Sequence, residues 1–250
     1  MKLSGQTVLI TGGATGIGLA LAEGLLLAGN RVLVCGRRED KLLAAQAQFP
    51  ALEVKRCDIS KPEDRQALAT WAREAGVNVL VNNAGVQRMI DLRQGLKELE
   101  AGDNEARINF EGPVYLTANL LPHLLAQESA AIINVSSGLG FVPIAVMPIY
   151  CATKAAMHAF TVSLRHQLQG TSVQVFEVIP PTVDTELDRG ARARRGQVDR
   201  GIAVGQAAAE ILDGLRQDRA EIAIAGASRL MQASRQDFAQ MFDRMNHLPS

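Results

Sequence analysis

Tyr150 and Lys154 stand four residues apart in the helix-like stretch Pro148-Ile149-Tyr150-Cys151-Ala152-Thr153-Lys154, a spacing that puts both side chains on one helix face. The pair suits proton transfer. A phenol near its reference pKa of about 10 is a poor base at neutral pH, whereas catalysis favours a group closer to working pH. An ammonium roughly 4 Å away, at an effective dielectric near 20, favours tyrosinate by about 4 kcal/mol before screening. That is enough to lower the phenol pKa by as much as ~3. Such a tyrosine gives a proton in one direction and takes it back in the other. Ser137, thirteen residues upstream, is placed to donate to an oxygen on which charge develops, with Ser136 the competing register.

A second chemistry sits near the amino terminus. The run Thr11-Gly12-Gly13-Ala14-Thr15-Gly16-Ile17-Gly18 lies between the strand-like Thr7-Val8-Leu9-Ile10 and an apolar helical segment. Glycine is needed where a backbone turns sharply and approaches a pyrophosphate with no Cβ in the way. The helix that follows offers unpaired N–H groups and the positive end of its dipole. A dinucleotide is the expected ligand, although glycine turns also simply join strands to helices. The spacing T-G-x-x-x-G-x-G differs from the general G-x-G-x-x-G fingerprint.

The elements that must position these groups alternate along the whole chain. Strands are expected at 7–10, 31–35, 52–57, 77–81, 131–135, 173–179 and 221–225, with helices at 18–28, 38–48 and 62–74 among those between them. Several strands are continuous apolar runs, as in sheets covered on both faces. Strands separated by helices imply right-handed βαβ units. The expected fold is therefore α/β: one doubly wound Rossmann domain over 1–250, with a seven-stranded, mostly parallel sheet and helices on both faces. The 250 residues, 47% hydrophobic and 21% charged with zero formal net charge, fit one large domain and give no basic excess for nucleic acid. No signal-like or membrane-spanning apolar run is evident. The three cysteines have no metal-ligand or framework spacing, so no metal is expected and a reducing cytoplasm is the expected location.

Together these motifs resemble the short-chain dehydrogenase/reductase family over nearly the whole chain, and Asn82-Asn83-Ala84-Gly85 after the fourth strand supplies the family's N-N-A-G. The resemblance implies an oxidoreductase that moves hydride between a nicotinamide cofactor and a carbonyl or secondary alcohol, with Tyr150 as general acid/base and Lys154 beside it. It selects Ser137 over Ser136, and it implies that Asn109, in Arg107-Ile108-Asn109-Phe110, holds a water linking the lysine to solvent. It assigns the cofactor to Gly12, Thr15, Gly16, Ile17 and Gly18, to Asn83, Ala84 and Gly85, and to Pro180, Val183 and Thr185 together with Tyr150 and Lys154. Asp58 and Ile59 resemble the adenine-contacting pair, although Asp58 and Ser60 also compete as a helix N-cap. Pro181 departs from the family's P-G, fixing φ and removing an N–H beside the nicotinamide site. A homodimer or homotetramer is implied only by resemblance. The runs Asn82–Arg88, Pro148–Lys154 and Pro180–Thr185 further resemble the DltE-like branch.

The dinucleotide is read from the end of the second strand, Val34-Cys35-Gly36-Arg37-Arg38. NAD-preferring Rossmann proteins place a carboxylate there for the ribose hydroxyls. Here Gly36 takes that position, and Arg37 and Arg38 suit bidentate contact with a 2′-phosphate, unless they are only a solvated helix start. NADP is expected, with NAD the alternative. The segment 186–201, carrying Arg189, Arg192, Arg194, Arg195 and Arg200, is expected to be a substrate lid or a solvated loop. Residues 228–246 are expected to form one amphipathic helix packed on the core or on a second subunit. The competing function is a non-catalytic, dinucleotide-sensing protein on the same fold.

Overall fold

The computed structural model describes residues 1–187 and 201–246. The seven strands are β1 (Thr7–Thr11), β2 (Arg31–Gly36), β3 (Glu53–Arg56), β4 (Val79–Asn82), β5 (Ala130–Val135), β6 (Val173–Ile179) and β7 (Glu221–Ala223). They form one sheet in the order β3-β2-β1-β4-β5-β6-β7. All six pairings are parallel, so no strand at either edge runs the other way.

The continuous apolar runs split between two layers, as strand alternation requires. Val8, Ile10, Val32 and Val34 face α1 (Gly16–Leu27), α2 (Glu39–Gln48) and α7 (Val204–Arg216). Leu9, Leu33, Leu80 and Ile132 face α3 (Pro62–Glu74), α5 (Gly112–Leu125) and α6 (Pro148–Gln167). Each of these eight strand side chains is fully shielded from solvent, and burial of that kind stabilises by about 1.5–3 kcal/mol per side chain. A short α4 (Leu96–Glu100) and a π-helical turn at Arg107–Glu111 precede α5. The carboxyl ends of β1 and β4 flank the point where strand order reverses, where open α/β sheets form their crevice.

On the second face α6 is held by polar contacts as well as packing. Asn134 Nδ2 in β5 donates to Thr161 Oγ1 at 2.9 Å, and Arg165 Nε donates to the Val175 carbonyl at 2.9 Å. Together these bonds fix the rotation of the helix about its axis.

The carboxy-terminal segment corrects one expectation. It forms two helices, α8 (Ala227–Gln236) and α9 (Phe238–Asn246), because Asp237 leaves helical geometry at φ −152°. The Asp237 side chain accepts from Gln240 N–H at 3.1 Å and so starts the second helix. Asn246 of α9 closes back on the core, donating to the Pro143 carbonyl at 3.2 Å. At α3 the N-cap position belongs to Lys61, not to Asp58 or Ser60. Among the described residues no helix is long and apolar enough to cross a membrane. The five arginines from 189 to 200 lie outside the described residues.

Candidate active site

A cleft of about 410 Å³ opens along the carboxyl ends of β1, β2, β4 and β5. Its floor is the glycine turn. Gly12 has φ +64°, and a Cβ there would lie 2.8 Å from the Ala84 Cα, so the turn needs both glycine's left-handed backbone and its missing side chain. A Cβ at Gly18 would collide with the Gly12 carbonyl, which places that glycine in helix packing behind the cleft. Thr11 Oγ1 accepts from Asn83 and Ala84 N–H, both at 3.1 Å, and donates to the Val81 carbonyl at 3.3 Å. Asn83 Nδ2 donates back to the Thr11 and Gly12 carbonyls at 3.0 and 3.1 Å. The loops after β1 and β4 are thereby stitched together. Thr15, at the N-cap of α1, makes no side-chain cap, which leaves the first-turn amides aimed at the cleft.

At the far end Gly36 leaves the wall without a carboxylate, and three cations line it: Arg37, Arg38 and Lys41. Arg37 and Arg38 are exposed at the start of α2, and all three cations are ion-paired. Arg37 grips Asp103 with two bonds of 2.6 and 2.8 Å, which holds the carboxyl below its usual range. Arg38 donates to Glu186 at 2.9 Å and to Thr15 Oγ1 at 3.2 Å, while Lys41 lies 3.4 Å from Glu186. Nothing in the sequence singles out Asp103 for this end of the cleft, and Glu186 is expected only as the start of the 186–201 segment. Lys41, also unexpected there, carried a local signal, being a third cation in the first turn of the helix that follows Arg37 and Arg38. Asp58 and Ile59 line the cleft, and Asp58 accepts from Ser60 N–H and Oγ at 3.0 and 2.7 Å.

At the opposite end Tyr150 and Lys154 reach the cleft from α6. Lys154 is buried, and its Nζ donates to the Val135 carbonyl at 2.8 Å while lying 5.7 Å from the Tyr150 ring centroid. Burial lowers its pKa from 10.5 to about 8. At neutral pH it is therefore still mostly cationic, yet close to losing its proton. The Lys154 shift has a signed consequence for stability. Below pH 8 both folded and unfolded chains hold the proton, and the folded state carries the full cost of a buried ammonium, about 3 kcal/mol. Between pH 8 and about 10.5 the unfolded chain binds more protons, so stability rises with pH and then levels off. Urea unfolding at pH 7.5 and 10 should show that rise in the parent and its loss in Lys154→Met.

Asn109 sits in the π-helical turn behind Lys154. Its Oδ1 accepts from Val86 N–H at 2.8 Å, and its Nδ2 donates to the Val86 carbonyl at 2.8 Å and to Thr153 Oγ1 at 3.2 Å. It thus ties the loop after Gly85 to the Tyr150 helix, and a Cβ at Gly85 would touch both Asn109 Oδ1 and Lys154 Nζ. Ser137 caps a short 3₁₀ turn, Gly138–Gly140, its Oγ accepting from Leu139 N–H at 3.1 Å. Ser136 lines the cleft but donates to Glu177 at 2.6 Å. Pro180 and Thr185 line the cleft as well, whereas Val183 is buried in the core and bridges to Ile202.

Sequence comparison places this geometry in a lineage. The short chain dehydrogenase family matches residues 6–196. The chain is a short-chain dehydrogenase/reductase. Within that family it is 47% identical over 248 residues to the uncharacterized oxidoreductase DltE of Bacillus subtilis (strain 168), covering 98% of each chain, which bears out the expected DltE-like branch. An uncharacterized oxidoreductase of Staphylococcus aureus (strain MRSA252) is 32% identical over 189 residues, 74% of this chain and 81% of that one. Among solved short-chain dehydrogenases, one from Burkholderia cenocepacia J2315, in complex with NADP, superposes with a TM-score of 0.85 at 29% identity, covering 100% of both chains. This short-chain dehydrogenase/reductase is accordingly an oxidoreductase with a Rossmann-like sheet.

Proposed function

We propose that the chain is an NADP-dependent carbonyl reductase or alcohol dehydrogenase in which Tyr150 moves the proton. The observation that carries this reading is the placement of Tyr150 and buried Lys154 at one end of a cleft whose floor is the glycine turn. A dinucleotide fits the residues present: Gly12 leaves no side chain over the floor, α1 offers uncapped amides to phosphates, and Arg37, Arg38 and Lys41 face the end that lacks a carboxylate. Gly16, Ile17, Asn83, Ala84, Gly85, Asp58, Ile59, Pro180 and Thr185, all on the cleft wall, complete that assignment, and Val183 is left out of it because it packs in the core. The relative from Burkholderia cenocepacia, named for its NADP complex, supports the same choice. NAD is the weaker alternative.

The cofactor, when bound, supplies or accepts hydride. In reduction the Tyr150 phenol gives its proton to the substrate oxygen, and Ser137 donates a hydrogen bond to that oxygen as charge grows on it. Lys154, charged at neutral pH, favours the tyrosinate that results. Asn109 fixes the backbone beside Lys154 and holds the route by which the lysine exchanges protons with solvent. In oxidation each transfer runs backwards. We also take the enzyme to be cytoplasmic, in keeping with its three buried free thiols, and homo-oligomeric.

The test is NADPH consumption followed at 340 nm with a panel of aldehydes and ketones, and NADP reduction with the matching alcohols. Turnover with at least one member supports the reading. Tight NADPH binding with no turnover across the panel would favour the dinucleotide-sensing alternative.

A further inference from the structure

We propose that Glu177 is a positioning residue, a single carboxylate that holds the catalytic end of β5 and the catalytic face of α6 at fixed separation. The inference rests on the reading of Ser137, Tyr150 and Lys154 as the reaction centre.

Glu177 occupies a position in β6 where the run Val173-Gln174-Val175-Phe176-Glu177 points toward α6, in phase with Val173 and Val175. Its side chain is fully buried. A carboxylate in such a place costs free energy unless both oxygens are paired. They are paired, and with different elements. Ser136 Oγ donates to Oε1 at 2.6 Å, and His158 Nδ1 lies 2.8 Å from Oε2. The two groups are within hydrogen-bond distance, so one proton shared between them satisfies both atoms.

Both partners stand beside catalytic groups. Ser136 immediately precedes Ser137, and the Val135 carbonyl just before it receives the Lys154 ammonium. His158 follows Tyr150 and Lys154 at successive intervals of four, on one stripe of α6. The Phe141 ring, at the end of the turn that Ser137 caps, lies 4.6 Å from the imidazole. Glu177 itself is fixed in the sheet, its N–H donating to the Ala220 carbonyl at 2.9 Å. One rigid strand therefore clamps the serine loop on one side and the tyrosine helix on the other. Reacting groups displaced by about 1 Å lose on the order of 100-fold in rate, so the clamp's effect belongs in kcat and not in ground-state binding.

The experiment compares Glu177→Val, Glu177→Gln, Ser136→Ala and His158→Phe with the parent for thermal midpoint, NADPH Kd, and kcat and KM on a carbonyl that the parent turns over. We expect Glu177→Val to lower kcat about 10- to 100-fold while KM and Kd stay within about twofold. Ser136→Ala and His158→Phe, each losing one arm, should fall between it and the parent. Glu177→Gln should recover most of the loss, because its amide can accept on one side and donate on the other. Parent-like kcat in both single-arm variants, or equal damage from Gln and Val, would overturn the proposal. Crystal structures of the parent and the single-arm variants supply a readout independent of turnover: the Ser137 Oγ to Tyr150 Oη separation should change. An unchanged separation sinks the clamp, whereas a parent that turns over no carbonyl sinks the reaction assignment instead.

Discussion

Replacing Tyr150 with phenylalanine should reduce kcat by about 10³-fold or more while leaving the NADPH Kd within about twofold. The size follows from losing the general acid, which contributes 10²–10⁴-fold on its own, together with the group whose charge Lys154 is placed to favour. The selectivity follows from the structure: the substitution removes one oxygen from a ring that is otherwise packed among Met147, Cys151 and Leu139. The helix, its hold on Val135 through Lys154, and the glycine turn are untouched. Single-turnover rates with preloaded NADPH, measured beside fluorescence titration of the cofactor, separate the two quantities. Residual activity within tenfold of the parent would remove Tyr150 from the proton chemistry.

Replacing Arg37 and Arg38 together with alanine should weaken NADP binding by about 10- to 100-fold, the worth of charge-assisted bonds to a phosphate, and leave NAD binding nearly unchanged. Without a 2′-phosphate these arginines spend their donors on Asp103, Glu186 and Thr15. NADP binding would exchange those carboxylates for a phosphate dianion. Exposed ion pairs of this kind are worth little individually, so surrendering them costs less than the phosphate returns. Calorimetric titration of both dinucleotides at one fixed ionic strength reads the difference, because salt weakens exposed phosphate contacts. Equal losses for NADP and NAD would overturn the cofactor assignment.

Much of the architecture was readable from residue pattern because β1, β2 and β6 are rich in β-branched and other apolar residues and are bounded by glycine, proline or polar clusters. The β6 range, Val173–Ile179, coincides with the expected one. The glycine turn and the Tyr150–Lys154 stripe were readable because each depends on local spacing. What escaped depends on contacts across the chain. Glu177 interrupts an apolar strand, and only the pairing of β5 with β6 brings it to Ser136. Asp103 meets Arg37 from 66 residues away, with nothing local to mark the pair. The π-helical turn around Asn109 has no residue signature that separates it from an ordinary helix start. The break at Asp237 differs from these. Asp237 followed three residues later by Gln240 is a helix-start signature, and the apolar recurrence from Leu230 to Met245 obscured it.

The stitch between Thr11 and the segment Val81–Ala84 also has a meaning for how the protein comes into being. Its bonds join residues 70 to 73 positions apart, so the chain must close a long loop, at an entropic cost that grows with loop length, before the floor of the cleft exists. Local units such as β1-α1-β2 have no such requirement, and contacts of long sequence range are the slow ones to form. The Tyr150 end arrives later still along the chain, from a helix beginning at Pro148. During synthesis, then, a nascent chain has no complete nucleotide cradle until most of its length is available. A dinucleotide that binds only the finished cleft rewards the completed fold, adding stability by mass action as its concentration exceeds its dissociation constant.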